Sequence, residues 1–159
     1  MQFPLLSRRA MLLGSGAAFC AGIVPAFAQT ALPSMHVLKD PNCGCCKDWI
    51  AIVEQAGFPV TVEFSEPAAL ARHKFASAIP EALWSCHTAT VEGYMIEGHV
   101  PVPDITRLLA ERPDAIGLAV PGMPFGSPGM GDENARDAYD VILIRRDGSG
   151  EIFSRYAAA

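Results

Sequence analysis

The tetrapeptide Cys43-Gly44-Cys45-Cys46 puts three thiols within one turn of chain, where a helix is expected to begin. Deprotonated sulfur is both a nucleophile and a soft metal ligand, and the unpaired N–H groups of a helix N-terminus favour that negative charge. Three kinds of chemistry follow. In a metal site, Cys43, Cys45 and Cys46 act as thiolates and are completed by Cys86 of Trp84-Ser85-Cys86-His87. Such a set suits copper(I), which accepts few ligands and can share bridging thiolates. Zinc is a poorer match, because a closed tetrahedral site draws on two separated pairs rather than three ligands from one loop. In a redox site, Cys43 and Cys46 form a C-x-x-C pair between a strand and a helix, the placement thioredoxin-like oxidoreductases use. Cys45 is then a competing nucleophile beside the pair. In a structural role, the four cysteines form two disulfides, which strains the loop and staples a core that needs no staple.

Accessory donors lie near these thiols in sequence. His87 follows Cys86, although adjacent strand residues face opposite ways, so a strand-end or surface histidine is its plainer reading. Met123 and Met130 bracket Pro124-Phe125-Gly126-Ser127-Pro128-Gly129, and thioether sulfur suits Cu(I), or else covers apolar surface. These three join the four cysteines as candidate metal ligands. His99, between Gly98 and Val100-Pro101, reads as a loop residue that orients a ligand or senses pH. His36 is expected to pack in the core with Met35, and His73 to be solvated with Arg72 and Lys74. Trp49 and Trp84 flank the cysteine elements and are expected to exclude water.

The elements that position these residues are legible in outline. Met35–Lys39 is an apolar run suited to a buried strand, ended by Asp40-Pro41-Asn42. Cys46, Trp49, Ile50, Val53 and Ala56 then recur on one helical face, with Gly57 at the expected C′ position. Val60–Phe64 alternates as a strand, and Pro67–Phe75 forms a helix with proline in its first turn. Residues 89–91 and 94–96 flank Glu92-Gly93 as a hairpin. Residues 105–109 are helical, with Asp104 as the cap. Val141–Ile144 and residues 151–153 are strands joined at Asp147-Gly148-Ser149-Gly150. The fold class is α/β with a mixed sheet. Residues 120–132 are too rich in proline and glycine, and too long, for a plain connector, so they form a lid or an excursion.

A chain of 159 residues, half of them apolar, fits one domain behind a leader. Residues 1–28 read as an export signal: Ser7-Arg8-Arg9, an apolar stretch from Ala10 to Val24, then Ala26-Phe27-Ala28 for cleavage before Gln29. The paired arginines mark a twin-arginine type, which implies the periplasm. Gly14, Gly16, Gly22 and Pro25 interrupt the stretch and argue against a retained anchor, and Phe19 before Cys20 argues against lipidation. The net charge of −5 falls further once Arg8 and Arg9 leave, so a nucleic-acid partner is not expected. The mature domain is 29–159.

Residues His36 to Trp49, with Cys86-His87-Thr88, Gly98-His99-Val100-Pro101 and Gly117 to Pro124, together resemble the CopG-type periplasmic copper-resistance proteins. The likeness spans roughly residues 35–156. It implies a thioredoxin-like domain adapted to copper, in which Cys43, Cys45 and Cys46 match the C-x-C-C element and Cys86 the later cysteine, gathering one or more Cu(I) ions. His87, Met123 and Met130 are added from their chemistry rather than from a matched role. The function expected is copper binding in resistance and homeostasis, with copper ions and other periplasmic copper-handling proteins as partners and no membrane insertion after processing. A binding protein is favoured over an enzyme; the alternative is a thiol-disulfide or copper-linked oxidoreductase using Cys43 and Cys46.

Overall fold

The computed structural model describes residues 31–159. The leader assigned to residues 1–28, Cys20 included, lies outside them. No described helix is long and apolar enough to cross a membrane.

Seven strands form one mixed sheet: β1 (Met35–Lys39), β2 (Val60–Phe64), β3 (His87–Val91), β4 (Tyr94–Glu97), β5 (Ala115–Ala119), β6 (Tyr139–Arg145) and β7 (Gly150–Tyr156), in the order β2-β1-β3-β4-β5-β6-β7. Helices α1 (Gly44–Gln55), α2 (Pro67–Ala76) and α3 (Val102–Glu111) connect β1 to β2, β2 to β3 and β4 to β5. Pairs β1/β2 and β4/β5 are parallel and the other four are antiparallel. Order β2-β1-β3-β4, with a helix between the parallel pair, is the thioredoxin-like arrangement; β5 to β7 extend it.

Strand alternation divides the core. Val37, Ala89, Ile96, Leu118 and Val141 share one cluster with Trp49, Ile50 and Val53 of α1 and Ile105 and Leu108 of α3. Met95 and Ala119, their neighbours in sequence, join Ile79, Ile116, Ile144 and Trp84 in a second cluster. Thus α1 and Trp49 cover one face of the sheet, and Trp84 belongs to the other. The turn Glu92-Gly93 has positive φ at both residues (48° and 84°), the geometry that closes a two-residue hairpin.

Several expectations change. His36 points outward and pairs with Glu63 of β2 at 3.2 Å, because β1 alternates and its neighbours Met35 and Val37 take the inward positions. Lys74 is buried rather than solvated. Ala56 is exposed at the end of α1, so the apolar face stops at Val53. Helix α3 starts earlier than expected, with Pro101 as N-cap, since prolines in a first turn sacrifice no helical hydrogen bond. Asp104 therefore sits inside that turn, where its buried carboxylate accepts the hydroxyls of Ser154 and Tyr156. Strand β5 carries no alternation to read, being buried along its whole length, and Gly117 at its centre is required there: a Cβ would collide with the Met95 carbonyl.

Candidate metal centre

The cysteine loop is set by the turn after β1. Asp40 Oδ1 accepts the Asn42 N–H at 2.7 Å, and the Asp40 carbonyl accepts the Cys43 N–H at 3.1 Å. Cys43 is consequently the extended N-cap of α1, with Cys45 and Cys46 in the first helical turn. Cys86 arrives from the residue before β3. The four Sγ atoms lie within 4.8 Å of one another. Cys43 and Cys46 are joined as a disulfide, with Cα atoms 5.5 Å apart, while Cys45 and Cys86 are free and half-buried. Cys45 Sγ is 3.6 Å from Cys43 Sγ. The pairing uses the C-x-x-C positions, so a framework of two disulfides is absent among the described residues.

Two histidines extend the cluster. His99 Nε2 lies 3.1 Å from Cys86 Sγ, and His87 Nδ1 lies 3.4 Å from it. Cys86, His87 and His99 thus make a second group able to hold a metal. The other nitrogen of His99, Nδ1, is 2.7 Å from the Pro128 carbonyl. A carbonyl can only accept, so Nδ1 carries the proton and the lone pair of Nε2 faces the sulfur. A backbone carbonyl behind the ring is the usual support of a metal-binding histidine. His87 is fully buried beneath Trp49, ring centroids 4.4 Å apart, and its Nε2 has no hydrogen-bond partner among the described residues. Trp49 is locked in turn by its Nε1–H donating to the Val100 carbonyl at 2.9 Å. Cys86 and His87 meet despite being adjacent because Cys86 precedes the strand and is not bound by its alternation.

The loop 120–132 packs on the site. At Gly129 (φ +81°) a Cβ would stand 2.6 Å from the Trp49 amide nitrogen, so only glycine lets this loop approach the start of α1 and bring the Pro128 carbonyl to His99. Met123 is 55 % exposed, one residue after Gly122, whose N–H reaches the Trp84 carbonyl at 3.2 Å. Met130 is half-buried and closes a turn through Ser127 and Gly126. Hydrogen bonds tie this loop to the site through Pro128 and Gly122, and not through either thioether. His99 is the cluster residue that sequence reasoning left out of the ligand set; the bond that orients it comes from a residue 29 positions later.

Burial controls the protonation of the cluster. The Cys86 thiol is pushed up to about 12, first by burial and then by its neighbour Cys45, so it holds its proton at neutral pH and a metal must displace it. Burial lowers His87 well below the usual imidazole range, helped by His99, Lys74 and Lys39, and it lowers His99 against the opposing effect of Pro128 and Asp48. Both imidazoles are neutral and offer lone pairs. Below pH 6.5, the ordinary histidine value, the unfolded chain takes up protons that the fold refuses. Stability should therefore fall between pH 6.5 and 5 by up to about 1.4 kcal/mol per pH unit for each histidine. Urea midpoints across that range measure the slope, and His87→Gln should flatten it; an unchanged slope would refute the assignment.

Cys86 is reached from solvent through a shallow depression of about 270 Å³ lined by Asp40, Pro67, Leu70, Lys74, Ser85 and Cys86. A cavity of about 380 Å³ between Pro101, Val102, Tyr139 and Tyr156 contains none of the cysteines.

Comparison with known proteins agrees with this fold. Residues 83–130 match the family described as "Protein of unknown function, DUF411", a span holding Cys86, His87 and His99. No curated protein matches the chain. The solved structure titled "Copper resistance protein copG- Form 1" is 42 % identical over 80 % of this chain and 99 % of its own, with a TM-score of 0.74. The Form 2 structure is 44 % identical over 79 % of this chain and 98 % of its own, with a TM-score of 0.72. With that identity extending over nearly the full length of both solved chains, and with a cysteine cluster able to hold a metal, this chain belongs to the CopG copper-resistance family.

Proposed function

We propose that this protein binds copper in the periplasm as part of copper resistance, holding Cu(I) through the thiolates of Cys43, Cys45, Cys46 and Cys86. The convergence of four sulfurs within 4.8 Å carries the reading. Soft sulfur donors with neutral imidazole beside them fit Cu(I) better than a hard cation. His99 and His87 are the nearest further donors to Cys86, and Met123 and Met130 are candidates from the covering loop. The twin-arginine leader assigned in residues 1–28 supports export of the folded domain.

The Cys43–Cys46 disulfide favours a second reading, a thiol-disulfide or copper-linked oxidoreductase. A thiolate of a dithiol substrate would attack one sulfur of the pair and release the other as a thiolate. The substrate's second thiolate would then resolve the mixed disulfide, leaving the substrate as a disulfide and Cys43 and Cys46 reduced. Anaerobic Cu(I) titration of reduced 29–159 protein, beside a variant with all four cysteines changed to serine, decides between them. Chelator-resistant copper, lost in the variant, is the expected result, and more than one ion per chain would indicate bridging sulfur. Absence of tight copper from the unchanged protein would overturn the binding reading in favour of the redox one.

A further inference from the structure

Beneath Cys86, on the sheet face opposite His87, lies a buried ion pair that the copper reading does not use. Glu97 of β4 is 0 % exposed and Lys74 of α2 is 3 % exposed, and the ammonium donates to Glu97 Oε1. The same carboxylate accepts the backbone N–H of Ser85 at 2.6 Å and the hydroxyl of Thr88 at 2.6 Å. Lys74 Nζ also donates to the Ser85 carbonyl at 3.2 Å. One ion pair thus grips both backbone polar groups of the residue before Cys86. The Ser85 hydroxyl reaches the Gly122 carbonyl, and a Cβ at Gly98 (φ +72°) would collide with that hydroxyl, so the fold leaves room for the clamp.

A buried ion pair adds little net stability compared with apolar residues of the same volume. Stability alone therefore gives no reason for this one, whereas both of its partners hydrogen-bond to the backbone of a single residue, Ser85, next to a site thiol. We propose that Lys74 and Glu97 are positioning residues for Cys86: by clamping Ser85 they aim Cys86 Sγ at the Cys43–Cys46 loop and His99. The pair sums to zero charge, so it fixes the sulfur without adding net charge to the site. The inference rests on Cys86 belonging to the site and not on copper being its ligand.

The test is alkylation of the metal-free protein with iodoacetamide, read peptide by peptide. With the disulfide intact, Cys45 and Cys86 are the free thiols of the described domain, and Cys45 serves as internal control. In Lys74→Met, Cys86 should react roughly tenfold faster while Cys45 is unchanged, because a freed segment gives the reagent access. The double variant Lys74→Met/Glu97→Gln carries no unpaired buried charge and should recover the thermal midpoint lost in the single variant. Its Cys86 should remain several-fold faster than in the unchanged protein, because the Ser85 carbonyl still lacks its donor. Slow Cys86 in the double variant, or equal acceleration of both thiols in the single one, would overturn the proposal and reduce the pair to a general structural role. If Lys74→Met fails to fold, the double variant alone decides. The readout contains no metal, so a protein that binds no copper defeats the proposed function and leaves this result to be judged separately.

Discussion

Reduction of the Cys43–Cys46 disulfide should strengthen soft-metal binding by at least about a hundredfold, which corresponds to about 2.8 kcal/mol. The oxidised protein offers two free thiols, Cys45 and Cys86, with Cys86 protonated in its buried setting. Reduction adds Cys43 at the N-cap and Cys46 in the first turn of α1, where the helix terminus favours thiolate. All four sulfurs already lie within 4.8 Å, so the added ligands need no rearrangement of the backbone. Silver(I) is the suitable probe: it is soft and singly charged, and it gives up no electron to the disulfide. Competition against a common chelator, run on oxidised and reduced samples of one preparation, measures the ratio. Equal affinities would mean that Cys43 and Cys46 are not ligands, and the cluster would shrink to Cys45, Cys86 and the histidines.

Trp49→Ala should cost about 3–5 kcal/mol of stability and lower the thermal midpoint by roughly 10–20 °C. Trp49 is fully buried, lies against His87 and donates to the Val100 carbonyl, so truncation opens a void and orphans a buried acceptor at the edge of the candidate metal site. Trp84→Ala supplies the comparison. Trp84 is half-buried in the smaller cluster and donates to the Ile79 carbonyl at 2.9 Å, so its loss should be clearly smaller. Calorimetry on the two variants decides, and equal losses would show that Trp49 is no special support. In Trp49→Ala, His87 uncovered to water should also regain an imidazole value nearer the ordinary one.

Much of the fold was written locally. The β1-α1-β2-α2 order, the Glu92-Gly93 hairpin and the final pair of strands all follow from short-range pattern, because turn residues and apolar periodicity act within a few positions. Strand β5 was not legible: a strand buried on both faces has no period of two, and Gly117 weakens its propensity while satisfying a close approach to Met95 that only the folded sheet creates. His36 and Lys74 were misplaced for a related reason. Neither residue type states which side of its element faces a partner, and that partner, Glu63 or Glu97, belongs to another strand.

The same division runs through the site. The three thiols of the cysteine loop, their place at the head of α1 and their character as soft donors were legible in the local sequence, because spacing within one turn and the chemistry of sulfur are local properties. Tertiary structure alone decided which donors meet. It brought Cys86 to the cysteine loop across 40 residues, turned the Nε2 lone pair of His99 toward that sulfur through Pro128, buried His87 under Trp49, and set Lys74 and Glu97 beneath Ser85. Those contacts depend on strand order, on the sheet face each side chain takes and on a loop packed through Gly129, none of which any local stretch of residues encodes.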